Sequence, residues 1–267
     1  LSVRNQVAVA LEEYKQIKRG DFVLKHASMV AIAVTQKYWT EGIETSLLAG
    51  EGVNPYYQKM LGQLQELSLL VRQKLSKLQS KVMSALVVLE VHGRDVVERL
   101  LEANVSQTTD FEWISQLRYY WEDTPATNAM KDWGGRMNLG EQNMIVRMVQ
   151  CQYPYGYEYL GASARLVVTP LTDRCYMTLM GAMHIKLGGA PAGPAGTGKT
   201  ETTKDMGCTL GKFVMVTNCG DQMDFRSLGG IYKGAAMGKR PCPLLSGFGG
   251  APFPSSSALP CTGSYTV

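Results

Sequence analysis

Gly193-Pro194-Ala195-Gly196-Thr197-Gly198-Lys199-Thr200 is the stretch on which the reading of this chain turns. It fits the pattern G-x-x-x-x-G-K-[ST] at every fixed position. Glycines let the backbone turn tightly, so that several N–H groups can point inward at phosphate oxygens. Lys199 supplies a cation for the β and γ phosphates of a nucleoside triphosphate such as ATP, and Thr200 a hydroxyl for Mg²⁺. A helix starting just behind the loop would aim its positive end at the same anion. The neighbourhood suits the motif. Ala182 to Leu187 reads as a preceding strand, Gly188 to Ala192 lengthens the connection, and Lys199 to about Leu210 reads as the helix. His184, beside apolar neighbours on that expected strand, is read as structural.

Working outward, Met144 to Val149, Leu166 to Thr169 and Lys212 to Thr217 are short β-type runs separated by glycines and turn residues. Strand alternating with helix argues for an α/β nucleotide-binding module, with its boundary near residue 150. The chain before that boundary reads as helical. Val23, Ala27, Val30, Val34 and Tyr38 recur at helical steps after a cap at Asp21. A longer helix is expected from Asn54-Pro55, its stripe running from Tyr57 to Leu89, with Gly93 as its stop. A short helix follows over Asp95 to Leu101. Thr109-Asp110-Phe111-Glu112 has the form of a capping box, opening a helix that buries Phe111, Ile114, Leu117 and Trp121. The long stripe lacks regular flanking Glu/Lys pairs, so it is read as domain packing rather than a coiled coil. Trp113, Tyr119, Tyr120 and Trp121 are read as core.

Composition narrows the partners. Hydrophobic residues make up 45% and charged residues 19% of the 267, which suits a globular protein. The net charge of +4 comes with no dense basic run, so no nucleic acid is expected. Ala27 to Val34, an apolar stretch near the start, is too short to cross a bilayer, and the first residues do not read as a signal peptide. Cys151, Cys175, Cys208, Cys219, Cys242 and Cys261 form no Cys-x-x-Cys pair and lie apart from the histidines. Most are expected to be buried thiols in a reducing compartment, with no cysteine metal site.

Hydrolysis at such a loop needs a second acidic element at the end of an apolar strand. Beyond the loop the acids are Glu201, Asp205, Asp221 and Asp224, and none directly follows an apolar run. No charged residue follows Arg240, and residues 238–267 are rich in Gly, Pro and Ser. Binding is encoded here, and no complete set of catalytic residues is.

Several segments resemble dynein heavy chains, at the end of the linker and the start of the first AAA+ module. YGYEYLG (155–161) looks like the junction between the two, and LVVTPLTDRCY (166–176) resembles the segment lying against the adenine. GGAPAGPAGTGKTETTKD (188–205) is similar to the first Walker A region almost without change. VHGRDVVERL (91–100) and DFEWISQLRYYWE (110–122) look like linker, in wording closer to axonemal than cytoplasmic dyneins. NCGDQMDFRSLGGIYKG (218–234) resembles the second strand and the helix after it.

The resemblance implies a mainly α-helical linker region (1–150), a partial α/β P-loop NTPase (AAA+) module (151–237) and a divergent, disordered tail (238–267). It implies that Val168, Pro170 and Leu171 line the adenine pocket, apolar side chains suiting a purine face. It further implies a microtubule motor whose ATP cycle moves the linker, in complex with dynein intermediate and light chains, in the cytoskeleton and the axoneme of a cilium or flagellum. After about Ala235 the sequence departs from the family pattern. That reads as a partial gene product, an unspliced end or a frameshift.

Overall fold

A computed structural model describes residues 2–50, 52–123, 142–185, 187, 189, 191, 193–194, 196–216 and 224–237. Within them the chain is mostly helical. Five helices come first: α1 (Val3–Glu13), α2 (Arg19–Lys25), α3 (Ser28–Leu48), α4 (Asn54–Val71) and α5 (Lys77–Glu102). The short α6 (Phe111–Ile114) leads into β1 (Arg118–Asp123), and β2 (Gln142–Met148) and β3 (Cys151–Pro154) follow. Last come α7 (Pro170–His184), α8 (Lys199–Thr209) and α9 (Phe225–Met237).

Local chemistry sets the helix boundaries, in places against the expectation from periodicity. The stripe read as one helix from Asn54 to Leu89 is two. Ser76 Oγ accepts from Gln79 N at 3.2 Å while Gln79 Oε1 accepts from Ser76 N at 3.0 Å, so a capping box restarts the chain as α5. Pro55 opens α4 as expected. Gly93 stops nothing: it lies inside α5, which also absorbs the separate helix expected over Asp95 to Leu101. It is needed there for space, because a Cβ on Gly93 would stand 2.9 Å from Trp39 Nε1. Likewise the stripe from Val23 to Tyr38 is broken at His26-Ala27, between α2 and α3.

The helix expected from Asp110 through Trp121 is corrected. α6 is four residues long, and Phe111 is 57% exposed while Trp113 is fully buried. Asp110 does not cap it with its side chain. Its carboxylate instead accepts from the Ser106 and Gln107 amides, each at 3.0 Å, and holds the preceding turn. From Arg118 onward, pairing with β2 overrides helical periodicity, since strand preference depends on having a partner.

The sheet is antiparallel in the order β1-β2-β3, with Tyr119 opposite Val146 and Ile145 opposite Pro154. The edge strand β1 packs against α3, where the Tyr119 amide donates to Thr40 Oγ1 at 3.0 Å. A single apolar core runs from Val7 and Leu11 of α1 through Val30 and Val34 of α3, Tyr119, Met144 and Tyr153 of the sheet, to Met180 of α7 and Met206 of α8. A second cluster gathers Trp39, Ile43, Met60, Val97 and Trp113. The expected core role of Trp113 and Tyr119 holds, while Tyr120 and Trp121 are half-buried.

Three expected strands are absent among the described residues. Leu166 to Thr169 and the described part of Lys212 to Thr217 join no ladder. An isolated run of β-favouring residues has no neighbouring strand to pair with, and sheet formation rewards pairing rather than sequence alone. Ala182 to Leu187 is not a strand either. Thr169 caps α7 by accepting from the Thr172 amide at 3.3 Å, Pro170 sits in the first turn, and helix-favouring Ala182 and Met183 carry the helix on to His184. The thiol expectation is also corrected: Cys151 and Cys208 are half-buried and Cys175 is exposed, on the face of α7 away from Tyr176 and Met180. Cys219, Cys242, Cys261 and the tail 238–267 lie outside the described residues. No described helix is long and apolar enough to cross a membrane.

Candidate nucleotide-binding site

The loop before α8 is built by its glycines. Gly196 and Gly198 both take φ of 79°, a left-handed conformation that costs an L side chain about 1–2 kcal/mol. Gly198 is the N-cap of α8 and, having no side chain, caps none of its amides. The first N–H groups of a helix have no acceptor within it, so this end of the eleven-residue α8 offers donors and a positive field to an anion. Further along, the Thr202 and Thr203 hydroxyls donate back to the Gly198 and Lys199 carbonyls at 2.9 and 3.0 Å.

Lys199 reaches back over the loop. Its Nζ donates to the Gly193 carbonyl at 2.8 Å and to the Pro194 carbonyl, and Thr197 Oγ1 donates to the same Pro194 oxygen at 2.9 Å. The structure thus brings Gly193, Pro194, Gly196, Thr197, Gly198 and Lys199 into one turn, with Thr200 half-buried in the first turn of α8. Ala195 lies outside the described residues. Neutral carbonyls are weak partners for an ammonium, and a phosphate oxygen would replace them with a charge-assisted bond.

The described acids that follow the loop in sequence are already engaged. Glu201 pairs with Lys204 at 2.7 Å, and Asp224 accepts from the Ser227 amide at 2.8 Å at the start of α9. Asp205 is buried in an ion pair with Arg165. Among the described residues no group of three or more His, Cys, Asp and Glu could hold a metal. Thr200 offers Mg²⁺ one hydroxyl, beside which that ion ordinarily takes waters, substrate phosphate oxygens and one or two carboxylates.

The residues expected at the adenine lie on one stretch but face differently. Val168 is half-buried and lines a cavity with Ile32, Trp39, Leu89 and Tyr176. Pro170 starts α7 and is exposed, as is Leu171 at 71%. His184 closes α7 and meets the Tyr153 ring edge-on, with centroids 6.3 Å apart.

Sequence reasoning missed the polar network behind the loop. Asp205, on the inner face of α8, receives Arg165 Nε at 2.8 Å and Nη2 at 3.0 Å, the Leu166 amide at 3.1 Å and the Tyr176 hydroxyl at 2.6 Å. Arg165 also donates to Thr209 Oγ1, and the Thr209 carbonyl accepts from the Tyr119 hydroxyl at 2.9 Å. Burial alone would lower the Arg165 pKa, but the Asp205 carboxylate outweighs it and holds the guanidinium charged. Burial, then the Asp205 charge, pushes the Tyr176 hydroxyl well above its ordinary value, so it stays a donor. One signal was available: Asp205 stands one turn before Thr209 and next to Met206 on the side of α8 that is buried, and a buried acid demands a partner.

Comparison with known proteins agrees with the loop's chemistry. The family model for the "Hydrolytic ATP binding site of dynein motor region" matches residues 155–242. Dynein axonemal heavy chain 1 of Mus musculus is 47% identical over 235 residues, which is 88% of this chain and 5% of that protein. Dynein axonemal heavy chain 12 of Homo sapiens is 44% identical over 236 residues, covering 88% of this chain and 7% of its own length. Dynein axonemal heavy chain 3 of Mus musculus is 43% identical over 235 residues, again 88% of this chain and 5% of that protein. The chain therefore spans only a small part of the relatives it matches.

Proposed function

Since the chain belongs to the dynein heavy-chain family over the segment it shares with those proteins, we propose that its Gly193–Thr200 loop binds the triphosphate of ATP as part of a microtubule motor. The observation that carries this reading is the loop itself: two left-handed glycines, uncapped α8 amides and the Lys199 ammonium converge on one turn. Amides of the first turn of α8 would donate to phosphate oxygens, and Lys199 would exchange the Gly193 and Pro194 carbonyls for them. Thr200 would ligate Mg²⁺, which offsets phosphate charge when bound. Val168, with Pro170 and Leu171, would stand at the base.

In the parent motor, residues 1–150 form the helical linker region, 151–237 part of the AAA+ module, and 238–267 a tail outside the shared pattern. Binding and hydrolysis of ATP there would drive linker movement along microtubules. Intermediate and light chains are the proposed partners. The relatives are named axonemal, which supports a place for the parent protein on the cytoskeleton of a cilium or flagellum.

A second reading, nucleotide binding without hydrolysis by this chain alone, is favoured by the acids. None occurs after Asp224, and Glu201, Asp205 and Asp224 are each engaged elsewhere. Steady-state ATP turnover by the purified chain, against Lys199→Ala, separates the two readings. Turnover above that control rejects the second, and binding without turnover supports it. No ATP binding at all removes both.

A further inference from the structure

We propose that Arg165 and Asp205 are positioning residues for ATP: their buried ion pair sets the distance between the phosphate loop and the segment that meets the base. The inference rests on the ATP-binding reading above and adds residues that touch no nucleotide.

Two parts of the site come from separate stretches of chain, 166–171 on the base side and 193–200 on the phosphate side. Asp205 lies six positions after Lys199 on the same helix, about 9 Å along its axis, so any rotation or slide of α8 at Asp205 is carried to the loop. Arg165 immediately precedes the base-side stretch, and the Leu166 amide donates to the same carboxylate at 3.1 Å. Tyr176, through its 2.6 Å bond, ties in α7, which grows out of that stretch at Pro170. One carboxylate therefore gathers both sides of the site.

The chemistry suits a spacer rather than a mere staple. A guanidinium meeting a carboxylate with two N–H groups fixes direction as well as distance, which apolar side chains sliding on one another do not. The side chains are 5% and 3% exposed, so solvent neither screens the pair nor replaces it. A ligand that contacts only the loop, such as inorganic tripolyphosphate, needs no particular spacing. A ligand that spans loop and base segment, such as ATP, does.

The test is competition against a fluorescent ATP analogue on the full chain, measuring inhibition constants for ATP and for tripolyphosphate with Mg²⁺. Lys199→Ala should weaken both. Asp205→Asn should weaken ATP about fivefold or more while tripolyphosphate changes less than about twofold, the scale expected for residues that act through placement. Arg165→Lys, which keeps the charge and loses the fork, should fall in between. Tyr176→Phe, which leaves the ion pair whole, gives a milder version of the same selective loss if the other variants do not fold. Equal weakening of both ligands in the folded variants would mean general destabilisation and would overturn the proposal. Unchanged affinity for ATP in Asp205→Asn would overturn it too. Failure of the unaltered chain to bind ATP is a separate outcome, which removes the underlying reading and the inference with it.

Discussion

Gly93→Ala is the substitution whose sign the structure decides against intuition. In the interior of a helix, replacing Gly by Ala ordinarily gains about 1 kcal/mol, because Ala loses less backbone entropy on folding. Gly93 lies inside α5 facing α3, and a new Cβ there would stand 2.9 Å from Trp39 Nε1, 3.4 Å from Trp39 Cδ1 and 3.4 Å from Met60 Cε. The indole cannot easily give way, since it is 8% exposed and its ring centroid lies 5.5 Å from that of buried Trp113. Overpacking of this kind costs about 1–3 kcal/mol. The balance is a net loss of up to about 2 kcal/mol. Gly62→Ala in α4 is the matched control, because nothing lies within 4 Å of its Cβ position and the full gain of about 1 kcal/mol is available. Urea unfolding followed by far-UV circular dichroism should move the two midpoints in opposite directions. Trp39→Phe, which removes the offending ring edge, should soften the effect of Gly93→Ala in the double variant. If Gly93→Ala stabilises as much as Gly62→Ala, the packing of α5 on α3 is not as described.

Three further outcomes are expected. Trp113→Ala should cost about 3–5 kcal/mol in the same urea assay, since the side chain is fully buried in the second cluster; a loss below 1 kcal/mol would contradict that burial. Gly198→Ala should weaken ATP about tenfold through the cost of a left-handed φ, with Gly198→Asn less affected because Asn tolerates that region; equal affinities in a binding titration would count against the loop geometry. His92 gives a pH signature. Burial holds its imidazole below the ordinary 6.5, although Asp173 pulls upward while Arg99 adds to the depression. The folded chain therefore takes up this proton later than the unfolded chain, and stability falls as pH drops through about 6.5 toward the folded value. Melting points of His92→Gln should decline less over that window, and an unchanged slope would exclude His92 as its source.

The phosphate loop was legible because its motif is a statement about the backbone, with glycines where φ must be positive and a lysine at the helix start. Helix content was legible from the apolar stripes, but their ends were not. The stripe continues in phase across residues 72–76, so periodicity alone passed over the Ser76–Gln79 capping box. Gly93 looked like punctuation because a space for Trp39, far away in sequence, leaves no local trace. Met144 to Val149, expected as a strand, forms most of β2, but Leu166 to Thr169 failed for a different reason: it has β-type residues, and a strand exists only with a neighbour. The Arg165–Asp205 pair spans forty residues, and only the buried face of α8 hinted that the acid needed a partner.

One titration bears most directly on the central claim. Isothermal calorimetry of the full chain with ATP and Mg²⁺ should give a single saturable site, at least about tenfold weaker in Lys199→Ala because a charge-assisted phosphate contact is lost. No saturable heat, or the same affinity in both proteins, would contradict it.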